Sequence, residues 1–175
     1  MKTLKLLALA LAFSAPTLSA LTLSTLTLST LTPASALAQA PGDAAARQIE
    51  RGRYLIKVGG CNDCHTAGYG LSNGRIPEQE WLKGDPLGWQ GPWGTTYASN
   101  LRLYFSRLSE NEWLEQARTM QTRPPMPWFT LHDMQAGDLR AIYAFMRKLG
   151  PAGEPAPVYV PPGQPVQGPV VKFPG

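Results

Sequence analysis

Cysteine is almost missing from this chain: Cys61 and Cys64 are the only two among 175 residues. No disulfide framework can therefore staple the fold. Histidine is as scarce, with His65 and His132 alone. A zinc centre of the Cys/His kind takes four ligands, so it would have to gather every cysteine and histidine present. There is no run of lysine and arginine, and so no electrostatic footprint for nucleic acid. The apolar run near the N-terminus extends over about ten residues, short of the ~20 that a membrane-spanning helix needs.

What is present begins with "MKTLKLLALALAFSA", two lysines followed by that apolar run. This is the n-region and h-region pattern of a secretory signal. A tandem "TLTLS" repeat follows, and the small-x-small sites "ALA" and "AQA" place cleavage after Ala38 or Ala40. Residues 1–40 are thus read as a signal peptide, with an uncleaved signal anchor as the alternative. The mature chain is about 135 residues, enough for one domain with an adequate core. The formal charge of +4 includes Lys2 and Lys5; without them fourteen basic residues face twelve acidic ones. An exported chain reaches a compartment where disulfides persist, which makes the isolated cysteine pair the feature to explain.

The mature chain divides into a domain over 41–150 and a Pro/Gly-rich tail over 151–175. Asp43 can cap a helix over about 44–58, "AAARQIERGRYLIKV". Gly52 interrupts it at a cost of about 1 kcal/mol against Ala, and close approach of another helix is the return it offers. Residues 59–108 are dense in Gly, Pro and Trp and read as an irregular wrap. So long a loop suits a domain only if it packs around something large. "SENE" is a capping box, with Ser109 at the N-cap and Glu112 three residues on, opening a helix that ends near Thr122. A last helix spans about 136–149, with Leu139, Ile142, Tyr143, Met146 and Leu149 at helical spacing. The tail holds eight prolines and four glycines and is predicted to be extended, part of it lying against the domain.

The motif "CNDCH", Cys61 to His65, admits three chemistries. A thioredoxin-type C-x-x-C opens a helix after a strand, whereas here a helix precedes it. A zinc site would need the distant His132. C-x-x-C-H is also the attachment signature of c-type haem. Cys61 and Cys64 then form thioethers to the vinyl groups, and His65 sits under the iron. Covalent attachment needs export, which the N-terminal pattern supplies. A haem would also account for the long loop and for the four tryptophans that lie in loops rather than helical stripes, Trp81, Trp89, Trp93 and Trp128.

A second axial ligand would make the iron an electron carrier rather than a ligand-binding centre. Met120 and Met146 fit apolar helix stripes. Met126 stands in "RPPMPW", framed by Pro124, Pro125 and Pro127. Proline fixes its own φ and restricts its neighbour, so this loop is stiff enough to hold a thioether at the iron. Met126 is the candidate distal ligand and His132 the runner-up.

The pattern "RGRYLIKVGGCNDCHT", a Met in a Pro-rich loop and "MQAGDLRAIYAFMRKL" resembles the class I monohaem cytochromes c over about residues 47–150. The resemblance implies an all-α cytochrome c fold around one covalently attached haem c. Gly52 and Tyr143 would lie at or near the crossing of the first and last helices. "GPWGTTYASNL" resembles a segment of the multihaem cytochrome subunits of membrane-bound alcohol and gluconate dehydrogenases, which carry three haem motifs where this chain has one. By that likeness Trp93, Tyr97 and Asn100 would contact the haem or its propionates, with Arg123 as a propionate counter-ion.

The expectation is a periplasmic electron-transfer protein and not an enzyme. It would pass single electrons from a dehydrogenase donor to an oxidase or another cytochrome, with no transmembrane span in the mature chain. Two alternatives stay open: a haem subunit of a larger dehydrogenase complex, and a gas- or peroxide-binding haem protein with an open sixth site.

Overall fold

A computed structural model describes residues 41–174; the N-terminal signal reading lies outside the described residues. The elements in order are α1 (Pro41–Val58), α2 (Cys61–His65), a single 3-10 turn at Glu78–Glu80, β1 (Gly88–Gly91), β2 (Gly94–Tyr97), α3 (Leu101–Phe105), α4 (Glu110–Thr119), α5 (Phe129–His132), α6 (Ala136–Leu149) and β3 (Val170–Lys172). No helix among the described residues is long and apolar enough to cross a membrane.

The core forms where α1 meets α6. Ile56 packs with Leu139, Ile142, Phe145 and Met146, all nearly or fully buried. Gly52 makes the approach possible: a Cβ there would strike the Ala141 carbonyl and come within 2.8 Å of Phe145 Cβ. Tyr143 anchors the other side of α6 by donating its hydroxyl proton to the Leu108 carbonyl at 3.0 Å. The start of α4 carries the full capping box, with Ser109 Oγ and the Glu112 carboxylate each accepting from the other's backbone N–H. Buried Arg102, on α3, donates to the Leu149 and Gly150 carbonyls and so satisfies the C-terminal end of α6.

Residues 59–108 are more ordered than the sequence predicts. β1 and β2 form an antiparallel hairpin with Gly91 opposite Gly94, and β3, from the far end of the chain, pairs parallel to β1. Each strand is three or four residues long and glycine stands at three of the hairpin's four strand ends. Such strands carry no alternating pattern, and the third partner is remote in sequence, so long-range pairing rather than local propensity makes this sheet.

The tail lies on the domain. Asn100 Nδ2 donates to the Ala152 and Glu154 carbonyls at 2.8 and 3.0 Å. Val160 and Thr95 exchange backbone hydrogen bonds of 2.8 and 3.0 Å. Phe173 packs against Trp89 and Trp93, with ring centroids 6.0 and 5.4 Å away.

Candidate functional site

α2 is a single turn, and its geometry follows from its ends. Gly60 takes a left-handed conformation, φ 70°, at the N-cap, which turns the chain sharply out of α1. Thr66 closes the other end. Its N–H bonds the Asn62 carbonyl, and its hydroxyl donates to Asn62 Oδ1 at 2.7 Å while accepting from Leu82 N–H at 2.8 Å. The Gly84 N–H donates to the His65 carbonyl at 2.8 Å. The end of the motif is thereby locked against residues 82–84, through His65 and through Thr66 beside it.

Two adjoining cavities, of about 260 and 280 Å³, open beside this turn. They share Cys64, His65, Ser99, Thr122 and Met126 in their walls. The first is completed by the hairpin and the tail, through Trp89, Tyr97 and Tyr159. The second is strongly apolar and is completed by Cys61 and by side chains of the helical core, among them Ile56, Trp113, Leu131 and Ile142.

His65 is 8% exposed. Its Nδ1 lies 2.7 Å from the Ser99 carbonyl, an acceptor, so Nδ1 carries the proton and Nε2 keeps the ring's lone pair. A partner of this kind fixes both tautomer and ring plane in ligating histidines. Burial holds the imidazole below its ordinary pKa, with the Ser99 bond acting in the opposite direction. The ring is thus neutral at pH 7, the state a metal ion requires.

The two thiols are not joined to each other. Burial pushes Cys61 up to about 11 and raises Cys64 as well. Both remain protonated near neutral pH. A redox C-x-x-C motif works the other way, lowering the pKa of its attacking thiol. The zinc alternative finds no geometry either: among the described residues no three His, Cys, Asp or Glu side chains converge on a metal position. His132 lines neither cavity; its Nε2 faces the Met120 carbonyl at 3.0 Å and its ring packs against Trp128 at 4.9 Å.

Met120, Met126 and Met134 all reach the second cavity, but of the three only Met126 also lines the first. Its loop is tied at both ends. Thr96 Oγ1 donates to the Pro124 carbonyl at 2.6 Å, and Trp128 N–H donates to the Met126 carbonyl at 2.9 Å.

The remaining sequence-predicted contacts separate. Tyr97 lines the first cavity, as does Arg123. Trp93 lines neither; it packs on Phe173, and its indole N–H is buried with no hydrogen-bond partner among the described residues. Asn100 lines neither cavity, because its side chain is spent on structure: Oδ1 caps α3 by accepting from Leu103 N–H at 3.0 Å, and Nδ2 holds the tail. Of the four loop tryptophans, only Trp89 reaches a cavity wall. Trp81 is instead core, edge-on to Tyr69 and tilted on Phe145, and Trp128 packs on Phe129 and His132. The sequence reading missed the Ser99 carbonyl, which no side-chain pattern signals, and the tail residue Tyr159.

The donor set is therefore two protonated thiols on one short turn, a neutral imidazole with its Nε2 lone pair free, and a thioether. All stand around an apolar crevice with a more polar extension. That set suits a largely apolar group that carries a metal ion.

No protein-family model matches the chain, and no solved structure matches it. Among curated proteins it is 30% identical, over 134 residues, to the cytochrome c subunit of alcohol dehydrogenase (quinone) from Gluconacetobacter polyoxogenes. The same identity and length hold for the protein of that name from Komagataeibacter europaeus. Each alignment covers 69% of this chain and 26% of the relative. The chain is also 24% identical over 128 residues to one of the subunits of nicotinate dehydrogenase from Pseudomonas putida, covering 66% of this chain and 10% of that one. It thus spans about a quarter of the length of the cytochrome c subunits it resembles, and the similarity supports a cytochrome c-like relation.

Proposed function

We propose that this chain is a one-electron carrier built on a single c-type haem, with the helices of a cytochrome c fold around it. Cys61 and Cys64 would hold the haem by thioethers, and His65 and Met126 would ligate its iron. The observation that carries this reading is the position of His65 and Met126 in the shared walls of the two cavities, with Cys64 beside them and Cys61 at the edge of the apolar one. The residues present fit the group: protonated thiols suited to thioether formation, a lone pair at His65 Nε2, and a soft sulfur ligand. Once bound, haem iron supplies reversible one-electron chemistry, and the two axial ligands set where in the wide range of haem potentials it works.

The chain's own residues do the rest. Ser99 holds the His65 ring in one tautomer and one plane. Ile56, Trp113, Leu131 and Ile142 keep water from one face of the crevice. The tied, proline-framed loop holds the Met126 sulfur in one place, so little has to reorganise between oxidation states. No substrate bond changes on this chain. It takes an electron from a dehydrogenase and passes it to an oxidase or a second cytochrome, in the periplasm, to which residues 1–40 direct it.

A second reading is favoured by the cytochrome c subunits it resembles: a fixed haem subunit of a dehydrogenase complex. Co-purification at constant stoichiometry separates that from a diffusing carrier. The first test of both is the absorption spectrum of the mature protein, oxidised and reduced, with and without carbon monoxide. A low-spin c-type spectrum indifferent to carbon monoxide is the expected result. Rapid carbon monoxide binding would instead indicate an open sixth site and a gas- or peroxide-binding protein.

A further inference from the structure

One wall of the crevice comes from outside the helical body. Tyr159, in the C-terminal tail, lines the first cavity together with Arg123 and Met126. The Arg123 guanidinium lies over the Tyr159 ring, 3.8 Å from its centroid, and Arg123 stands three residues before Met126 in the same loop.

Tyr159 is itself fixed. Its hydroxyl donates to the Trp93 carbonyl at 2.8 Å, and the next residue, Val160, exchanges two backbone hydrogen bonds with Thr95. The tail lies so close to the hairpin that a Cβ on Gly94, φ 96°, would strike the Val160 carbonyl and approach the Tyr159 ring to 2.9 Å. The hairpin is tied to the methionine loop a second time, through Thr96 and the Pro124 carbonyl. Hairpin, tail and methionine loop thus form one hydrogen-bonded and stacked unit. Without the tail, Arg123 loses the ring beneath it, and the Thr96–Pro124 contact is the hydrogen bond left at the start of the loop among the described residues.

Resting on the haem reading above, we infer that Tyr159 is a positioning residue: it clamps the Met126 loop through Arg123, so that the C-terminal tail keeps the sixth coordination position closed. The tail is then part of the cofactor site rather than a linker beyond it. The ring, not the hydroxyl, supplies the contact to Arg123, which separates this role from general support of the hairpin.

The test uses the full chain as exported, comparing the parent with Tyr159→Ala, Tyr159→Phe and Arg123→Gln. Two readouts are taken. The first is amide exchange at Trp128, whose N–H bonds the Met126 carbonyl; the second is the rate of carbon monoxide binding to the reduced protein. Local opening governs both, so Tyr159→Ala and Arg123→Gln should each speed exchange at Trp128 and carbon monoxide binding by roughly tenfold or more. Tyr159→Phe, which keeps the ring, should stay near the parent. Arg123 is exposed, so its variant reads the clamp even if Tyr159→Ala fails to fold. Parent-like exchange in Arg123→Gln would overturn the clamp. Faster exchange with unchanged carbon monoxide binding would overturn its control of coordination. A parent lacking a low-spin spectrum would sink the haem reading instead, and the exchange comparison would still decide the clamp.

Discussion

Gly52 of α1 faces the backbone of Ala141 of α6 with no space for a side chain between them, and Phe145 Cβ closes the same gap from one turn on. The two helices that carry most of the core can meet this closely only because position 52 has no Cβ. Gly52→Ala should therefore push α1 and α6 apart. Overpacking of this kind costs about 1–3 kcal/mol, more than the ~1 kcal/mol that Ala returns in helix propensity. Denaturant unfolding should show a lowered midpoint with little change in slope. An unchanged or raised midpoint would mean the helices can separate freely.

Met126→Ala should leave the haem attached while opening the sixth site. The reduced protein would then bind carbon monoxide, and the midpoint potential would fall. Met120→Ala and Met134→Ala, which alter only the apolar cavity, should keep the parent spectrum; both side chains are only partly buried, so each should cost less than the ~2–5 kcal/mol of a fully buried methionine. A potential unmoved by Met126→Ala in voltammetry would reassign the ligand.

Cys61→Ala combined with Cys64→Ala should abolish covalent attachment. Acidic organic solvent would then extract all haem from the variant and none from the parent. Haem that resisted extraction from the double variant would refute the thioether assignment.

Asn100 is assigned a structural task, and its two ends can be separated. Asn100→Ala removes a cap and two tail hydrogen bonds and should cost about 2–4 kcal/mol, at roughly 1 kcal/mol each plus the cap. Asn100→Asp keeps the capping oxygen but loses both donors to the tail, so proteolytic cleavage should rise between residues 151 and 160 while α3 stays folded. Equal behaviour of the two variants would argue against this division.

The capping box makes stability depend on pH. The Ser109 N–H and hydroxyl hold the Glu112 carboxyl below its ordinary value. A depressed folded-state pKa contributes stability that is complete above the unfolded pKa and is lost as pH falls through the folded one. Melting curves of the parent and Glu112→Gln should differ at neutral pH and converge in acid. A difference that persists in acid would mean the carboxylate is not the cause.

How much of this was legible beforehand depends on how local each feature is. CNDCH is a single turn, and spacing alone puts two thiols and an imidazole on it. The Ser109–Glu112 box and the α6 stripe are likewise set by residues three and four apart, a spacing the helix imposes. The proline frame singled out Met126 for the same reason, because proline restricts only itself and its neighbour.

Whatever depends on backbone groups or on distant segments was settled by packing. The partner of His65 is a carbonyl, at Ser99, and carbonyls are alike at every position in a sequence. Asn100 reads as a site residue in its segment, yet the fold brings tail carbonyls to it from more than fifty residues away. β3 joins β1 across a still longer stretch of chain, so no local pattern announces the sheet. The junction of the two cavities, where His65 and Met126 meet the same space, exists only once α2, the hairpin, the methionine loop and the tail are packed together. Local spacing in the chain made the thiols, the imidazole and the thioether available. Which of them share a cavity was decided by the fold, because proximity between distant segments is a property of the packed chain alone.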